Sequence, residues 1–400
     1  MRKTLLFKVL SYEEYSKAVA ELGKMGAQVE EIGFSLENRA IHCIKLGDGD
    51  IRILAICRLH GNEPATTNAT LYFTYLYLDE GRIGGVPLKL ALEKCTVAMI
   101  PAANPDGLAE YFKLYSKNPK PSWENPFTQA RVNARGVDLN RDWLYLTQKE
   151  TRCLHKFLNR FKPHIVLDMH EFYFKGGYPP QWPDSQDEFM ISLTDTPYFM
   201  VSPTIKKLSL NLMQRVAEAF KEEGYSHWKT RLRWFVGEEK GADREVVIPA
   251  IFLGSHVPYE HSAKLLVETW GVGLGDYLLS DRVTIHALAI AHTALYAYEQ
   301  SEAIKEAVSQ SISEDLNHPS ELFRVKGHPK AVADVRDLLE LHDIKCSYLK
   351  DEVLVKLPQE RSRMALILLD QNYELNRKLI EKRKFYTLNY VYNVHITKYS

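Results

Sequence analysis

The stretch from Ile51 to Pro64 limits what this chain can fold into more than any other. Ile51 to Ile56 is an apolar run broken only by Arg52, and it reads as a strand buried inside a sheet. Arg58-Leu59-His60-Gly61-Asn62-Glu63-Pro64 follows, and then Ala65 to Leu78 with helix-forming potential. His60 and Glu63 therefore sit where a strand gives way to a helix. In an open α/β sheet that is the carboxyl edge, where ligands bind. His and Glu three apart can both turn toward one metal ion, with Gly61 letting the backbone bend between them. Spacing alone decides little, because a chain with 14 His holds about one such pair by chance. His318-Pro319-Ser320-Glu321 is a second copy. It follows the polar run Ser311 to Asn317 and reads as a solvated linker turn.

Other apolar runs end the same way. Thr96 to Ile100 leads to Asn104, His164 to Asp168 leads to His170, and Lys264 to Glu268 ends on its own acid. Carboxyl ends of parallel strands gather on one edge, so His60, Glu63, Asn104, His170 and Glu268 are expected to converge. Two His and one Glu make a zinc site with a fourth position left for water, and Glu268 is then the acid that takes the water's proton. The expected fold is a doubly wound α/β domain, its mixed sheet covered by helices on both faces.

Around these strands the sequence predicts a helix over 11–25, strands at 29–34 and 40–46, and a helix to about Arg160 opened by the capping box Thr147-x-x-Glu150. Helices are also expected from Ser202-Pro203 to about Glu223 and from Arg282 to Gln300. Asn-Pro-Asp-Gly (104–107) reads as a turn, with Asp106 a turn residue. Residues 172–203, rich in Pro and opening with Phe172-Tyr173-Phe174, read as a lid or binding loop. His256-Val257-Pro258-Tyr259-Glu260-His261 has the composition of a metal cluster, but Pro258 stops one helix from aligning its two His. Residues 301–318 turn polar and are taken as a boundary. The catalytic domain is placed at 1–310 and a small C-terminal α/β appendage at 319–400.

Composition closes off several function classes. Lys plus Arg and Asp plus Glu are both 51, so the chain lacks the basic excess that nucleic acid or an anionic membrane selects. The apolar N-terminal start is interrupted by Lys8, unlike a signal peptide, and no run reaches the ~18 apolar residues of a spanning helix. Five scattered Cys fit reduced thiols, and a cytoplasmic location is expected.

Five motifs then occur in order: His60-x-x-Glu63, Asn104-Pro-Asp-Gly, Arg131-x-Asn-x-x-Gly-Val-Asp138-Leu-Asn140-Arg141, Asp168-x-His170 and Leu266-Val-Glu268-Thr. Across roughly residues 10–300 this set resembles the zinc metallocarboxypeptidases of the carboxypeptidase A type. The resemblance implies one zinc per chain on His60, Glu63 and His170, with Asp138 fixing the first imidazole. It implies that Asn140 and Arg141 hold a substrate's terminal carboxylate, that Arg131 stabilises the oxyanion and that Glu268 is the general base. The implied partner is a peptide with a free C-terminal carboxylate. Tyr259 lies where the family has a mobile Tyr, in a context that aligns poorly. A zinc amidohydrolase that deacylates N-acyl amino acids is the alternative with the same ligands.

Overall fold

The computed structural model describes residues 6–121, 127–172, 191–194, 199–224, 247–349, 351–381 and 387–399. Helix α1 (Tyr12–Lys24) starts at a reciprocal cap: the Glu14 amide donates to Ser11 Oγ at 3.1 Å, and the Ser11 amide donates to the Glu14 carboxylate at 3.0 Å. Strands β1 (Gln28–Phe34), β2 (Ala40–Leu46), β3 (Ile51–Cys57), β4 (Cys95–Ile100), β5 (Ile165–Phe172), β6 (Ile191–Thr194) and β7 (Ala263–Trp270) form one sheet, ordered β1-β2-β4-β3-β5-β7-β6. The central four run parallel, and β1, β2 and β6 pair antiparallel at the flanks.

The apolar run that opened the sequence argument is the middle of this sheet. Ile53, Ala55 and Cys57 face one core, under α2 (Pro64–Leu78) and α6 (Leu279–Glu299). Leu54 and Ile56 face another, under α4 (Lys149–Phe161). A parallel strand covered on both sides has no polar face to keep, which is why its sequence does not alternate. From β3 the chain crosses to β4 on one side, then passes back over β3 to β5. The strand order reverses between β3 and β5, and a crevice opens at their carboxyl ends.

Several local expectations are corrected. Asn104-Pro-Asp-Gly is not a free turn but the start of α3 (Pro105–Tyr115), whose cap is Asn104 Oδ1 accepting from the Gly107 amide at 2.9 Å. The Thr147/Glu150 capping box does not form. The Asp142 carboxylate accepts from the Thr147 and Gln148 amides (2.9 and 2.8 Å) instead, while Glu150 accepts from the Leu36 amide at 2.9 Å. Within the stretch read as a lid, 191–194 is an edge strand, too short to show a period; residues 173–190 and 195–198 lie outside the described residues. The polar stretch read as a boundary is a helix, α7 (Ser301–Leu316), packed against α5 (Pro203–Glu222).

Beyond it, β8 (Glu321–Lys326), β9 (Cys346–Leu349), β10 (Glu352–Leu357) and β11 (His395–Tyr399) form a second, antiparallel sheet, with α8 (Pro329–Leu341) after β8. Its apolar residues share a core with Leu144, Leu146, Ile205 and Tyr259 from the first 310 residues. A chain cut after Gln310 would expose that shared surface. It is expected to give little soluble protein, checked by soluble yield and size-exclusion chromatography. A monodisperse, folded truncation would show the two cores to be separable.

Candidate metal centre and cleft

The loop after β3 is held in place before its side chains do anything. Arg58, with φ of 55°, is in the left-handed region and has no exposed surface. Its Nε donates to the Gly61 carbonyl at 3.0 Å, and its guanidinium lies 5.7 Å from the Tyr111 ring centre. Gly61 is required for closeness rather than for bending. A Cβ there would sit 2.2 Å from the Gly107 backbone and 2.4 Å from the Ala130 carbonyl. Asn104 faces this packed loop, its amide donating to the Leu59 and Arg131 carbonyls at 3.3 and 3.4 Å. Asn104 therefore positions the loops and is not a cleft group.

Glu63 ends up buried as the first residue before α2, with His60 and His170 on either side. His60 Nδ1 lies 2.6 Å from Glu63 Oε1 and His170 Nδ1 2.8 Å from Oε2. The outer nitrogens have neighbours too: His60 Nε2 lies 3.1 Å from Asp138 Oδ1, and His170 Nε2 lies 2.8 Å from Asp168 Oδ1 and 3.2 Å from Asn140 Nδ2. The Asp138 carboxylate can only accept, so His60 Nε2 carries a hydrogen and the inner nitrogen of His60 turns toward Glu63 as a lone pair. Burial alone would raise the Glu63 carboxyl, but the two imidazoles pull it well below the carboxylate range. Burial would lower His170, yet Asp168 and Glu63 lift it well above the ordinary histidine value. Two imidazole nitrogens and a carboxylate gathered around one cation position are the donor set of a zinc site, and these residues fit one.

The remaining residues named from the sequence line the same cleft: Arg131, Asn140, Arg141 and Glu268, beside His60 and His170. Glu268 is delivered by register, since it pairs directly with His170 across β5 and β7. Burial raises its carboxyl above the ordinary 4.5, with Glu63 and Asp168 adding to the rise and the two His opposing it. Asp138 accepts from Arg131 Nε at 3.1 Å with the oxygen not facing His60. Burial is outweighed by His60, Arg131 and Arg141, so this carboxyl also stays low. Asn140 Oδ1 accepts from the Leu253 amide at 2.8 Å. Arg141 lies 4.2 Å over the Phe252 ring and donates to the Asn140 carbonyl at 2.8 Å. The side chains of Arg131 and Arg141 are 34% and 44% exposed while Glu63 is 1% exposed, so both arginines sit at the mouth above a buried anion.

Sequence reasoning missed Lys264, Leu266 and Phe252, all of which line the cleft. Two of them carried a signal: on a strand with Glu268 facing the cleft, the period of two puts Leu266 and Lys264 there as well. Phe252 had none. Tyr259 is fully buried in the second core, its hydroxyl donating to the Phe199 carbonyl at 2.7 Å. Phe172 closes β5, and Tyr173 and Phe174 lie outside the described residues. His318 sits half-buried in a bend, and Glu321 pairs with Lys398 at 2.8 Å.

The zinc carboxypeptidase family profile matches residues 12–171, which include His60, Glu63, Arg131, Asp138, Asn140, Arg141 and His170 and stop short of Glu268. Carboxypeptidase 2 of Trichophyton rubrum is 26% identical over 290 residues, 68% of this chain and 46% of that protein. Human carboxypeptidase Z is 25% identical over 43% of this chain and 27% of its own length. The chain spans about half the length of the fungal relatives it matches most fully. Among solved structures, a metallo-carboxypeptidase from Burkholderia cenocepacia superposes with a TM-score of 0.52 at 15% identity, covering 72% of this chain and 69% of that one. A carboxypeptidase A-like protein from Shewanella denitrificans gives 0.51 at 18% identity, covering 72% of this chain and 69% of its own. Both carry the same fold.

The geometry separates two roles by metal content. His60→Ala removes an inner nitrogen and should cost the chain one equivalent of zinc relative to the parent. Glu268→Gln removes a cleft acid that faces no inner nitrogen and should leave the content unchanged. Elemental analysis after zinc reconstitution decides; equal losses from both variants would contradict the ligand set.

Proposed function

Because residues 12–171 match the zinc carboxypeptidase family profile, we propose that the chain is a metallocarboxypeptidase, cleaving the last peptide bond of peptides whose terminal carboxylate is free. One observation carries this reading: the His60–Glu63–His170 group, Glu268 and two mouth arginines share a single cleft. Zinc held by His60, Glu63 and His170 supplies Lewis acidity that polarises a carbonyl and acidifies water.

The protein's own groups do the rest. Glu268, raised by burial, takes a proton from the attacking water and hands it to the departing amine. Arg131, kept in orientation by Asp138, faces the oxyanion that forms on the scissile carbonyl. Arg141 and Asn140 hold the terminal carboxylate. Arg141 is suited to this because the Phe252 ring and its bond to the Asn140 carbonyl fix its plane before a substrate arrives. Glu268→Gln should therefore lower kcat by several orders of magnitude with binding kept. Parent-level turnover would reassign the base.

The end of the substrate that is recognised gives the sharper test. A hydrogen bond to a charged group contributes about 1.5–3 kcal/mol, and a two-pronged Arg contact lies toward the upper end. Amidating the peptide terminus should cost at least about tenfold in kcat/KM, and Arg141→Ala a similar amount. The two losses should not add, since both remove one contact. Equal cleavage of free-acid and amidated peptides would reject a carboxypeptidase. Release of carboxylic acids from N-acyl amino acids, with peptides left intact, would favour a deacylase.

A further inference from the structure

Four more potential ligands meet on the far side of the short turn that carries Phe252. His155 lies in α4, His256 ends the helical turn Leu253–His256, Glu260 ends the 3-10 turn Val257–Glu260, and His342 follows α8 from the second sheet. None of these side chains has exposed surface. His155 Nε2 and His256 Nε2 are 3.0 Å apart, and each is 3.1 Å from Glu260 Oε1. His342 Nδ1 is 3.8 Å from the same oxygen, and one ligand atom from each residue fits within 4.8 Å of all the others. Four-coordinate zinc, with bonds of ~2.0–2.1 Å, sets its ligand atoms ~3.3 Å apart; the His155, His256 and Glu260 atoms already stand near that spacing, and His342 Nδ1 has to close in on them.

The outer atoms decide what the inner atoms are. His256 Nδ1 faces the Ala250 carbonyl at 3.2 Å and His342 Nε2 the Leu144 carbonyl at 2.9 Å. Carbonyls only accept, so both outer nitrogens carry hydrogens. The inner His256 Nε2 and His342 Nδ1 of the neutral rings are then bare lone pairs, aimed at a carboxylate. His155 Nε2 can offer one hydrogen to Glu260 Oε1. His342 Nδ1 and Glu260 Oε2 have no hydrogen-bond partner among the described residues. Acceptors facing acceptors in a dry site call for a cation between them.

We infer that His155, His256, Glu260 and His342 form a second metal site, closed to solvent and filled by a divalent transition ion of the zinc class. Three imidazoles and a carboxylate, with no thiolate, suit zinc. All four positions come from protein, so no place remains for water and the ion is structural. It clamps the second sheet, through His342, to the helix and turns beside the cleft. This assignment does not depend on the reaction proposed above.

The test counts metal in the full chain, stripped and then reconstituted with zinc. The parent should hold two equivalents, His60→Ala one, His342→Ala one and the double variant none. Cobalt loaded into His60→Ala should give the strong visible absorption of a four-coordinate ion, and zinc should raise that variant's Tm. Glu260→Gln, which keeps the side-chain volume, should abolish both signals. One equivalent in the parent and none in His60→Ala would overturn the site. So would a folded His342→Ala chain that still holds two. If His342→Ala does not fold, the His60→Ala count decides alone. Failure of the carboxypeptidase reading would leave these counts as they are.

Discussion

A carboxylate that must stay charged while buried governs the structure around the cleft. Glu63 has almost no contact with solvent, and burying an anion is unfavourable unless every side of it is answered. His60 and His170 stand at both oxygens, where a shared cation would balance the charge, and the Glu171 amide adds a donor at 3.1 Å. Its place at the N-terminus of α2 brings the positive end of the helix dipole as well. Beneath it, Glu171 accepts from Arg282 Nη1 at 2.6 Å and from the Ala65 amide at 2.9 Å, which fixes the first turn of α2 against β5. Gly271 must be glycine to let that pair through, since a Cβ there would overlap the Glu171 carboxylate. The buried ion pair and the close-approach glycines Gly61 and Gly271 all hold one carboxylate in register with two imidazoles.

Asp138 links this buried layer to the mouth. One oxygen faces His60 Nε2 and the other takes Arg131, with Arg141 3.8 Å away. A single carboxylate therefore sets the tautomer of His60 and orients the Arg131 guanidinium over the cleft. Charge alternates outward from Glu63 through the histidines to Asp138 and then to the arginines. The mouth of the cleft therefore carries positive charge from the arginines, and burial raises the carboxyl of Glu268, which shares the cleft.

How much of this was legible in the sequence follows from which constraints are local. The strands β3, β4 and β7 were readable because a parallel strand covered on both faces must be a short apolar run, and the site residues near their ends followed from topology. The expectation that His170 lies beyond its strand failed by a few residues, because β5 continues to Phe172 through polar groups satisfied by neighbours. Asn104 was placed correctly at the edge but given the wrong neighbours, since capping depends on where α3 begins. The Thr147 cap failed because Asp142, five residues earlier, takes the Thr147 amide and the Gln148 amide after it. The polar composition of 301–318 hid α7, which needs only a narrow buried stripe: Ile304, Ser311 and Asp315 are buried.

The reading of His256 to His261 shows why long-range clusters escape such analysis. Pro258 does prevent one helix from presenting His256 and His261 together, and His261 turns away to Ser311 and the Glu360 carbonyl. The partner of His256 is Glu260, four residues on across a helical turn that runs into a 3-10 turn, and the other two members lie about 100 residues back and 80 residues ahead. What brings them together is the segment that also builds the cleft. Asn140 and Arg141 face the substrate side, the Trp143 amide holds the Ile251 carbonyl at 3.1 Å, and the Leu144 carbonyl takes His342. Residues 140–144 thus run from the cleft to the second sheet in a single turn of chain. The Phe252 ring under Arg141 is fixed from one side by Asn140 through the Leu253 amide and from the other by the turn that His256 ends. Among the described residues the part of the chain beyond 318 lines none of this cleft, yet through His342, which follows α8, and Leu144 it supports the segment that carries Asn140 and Arg141.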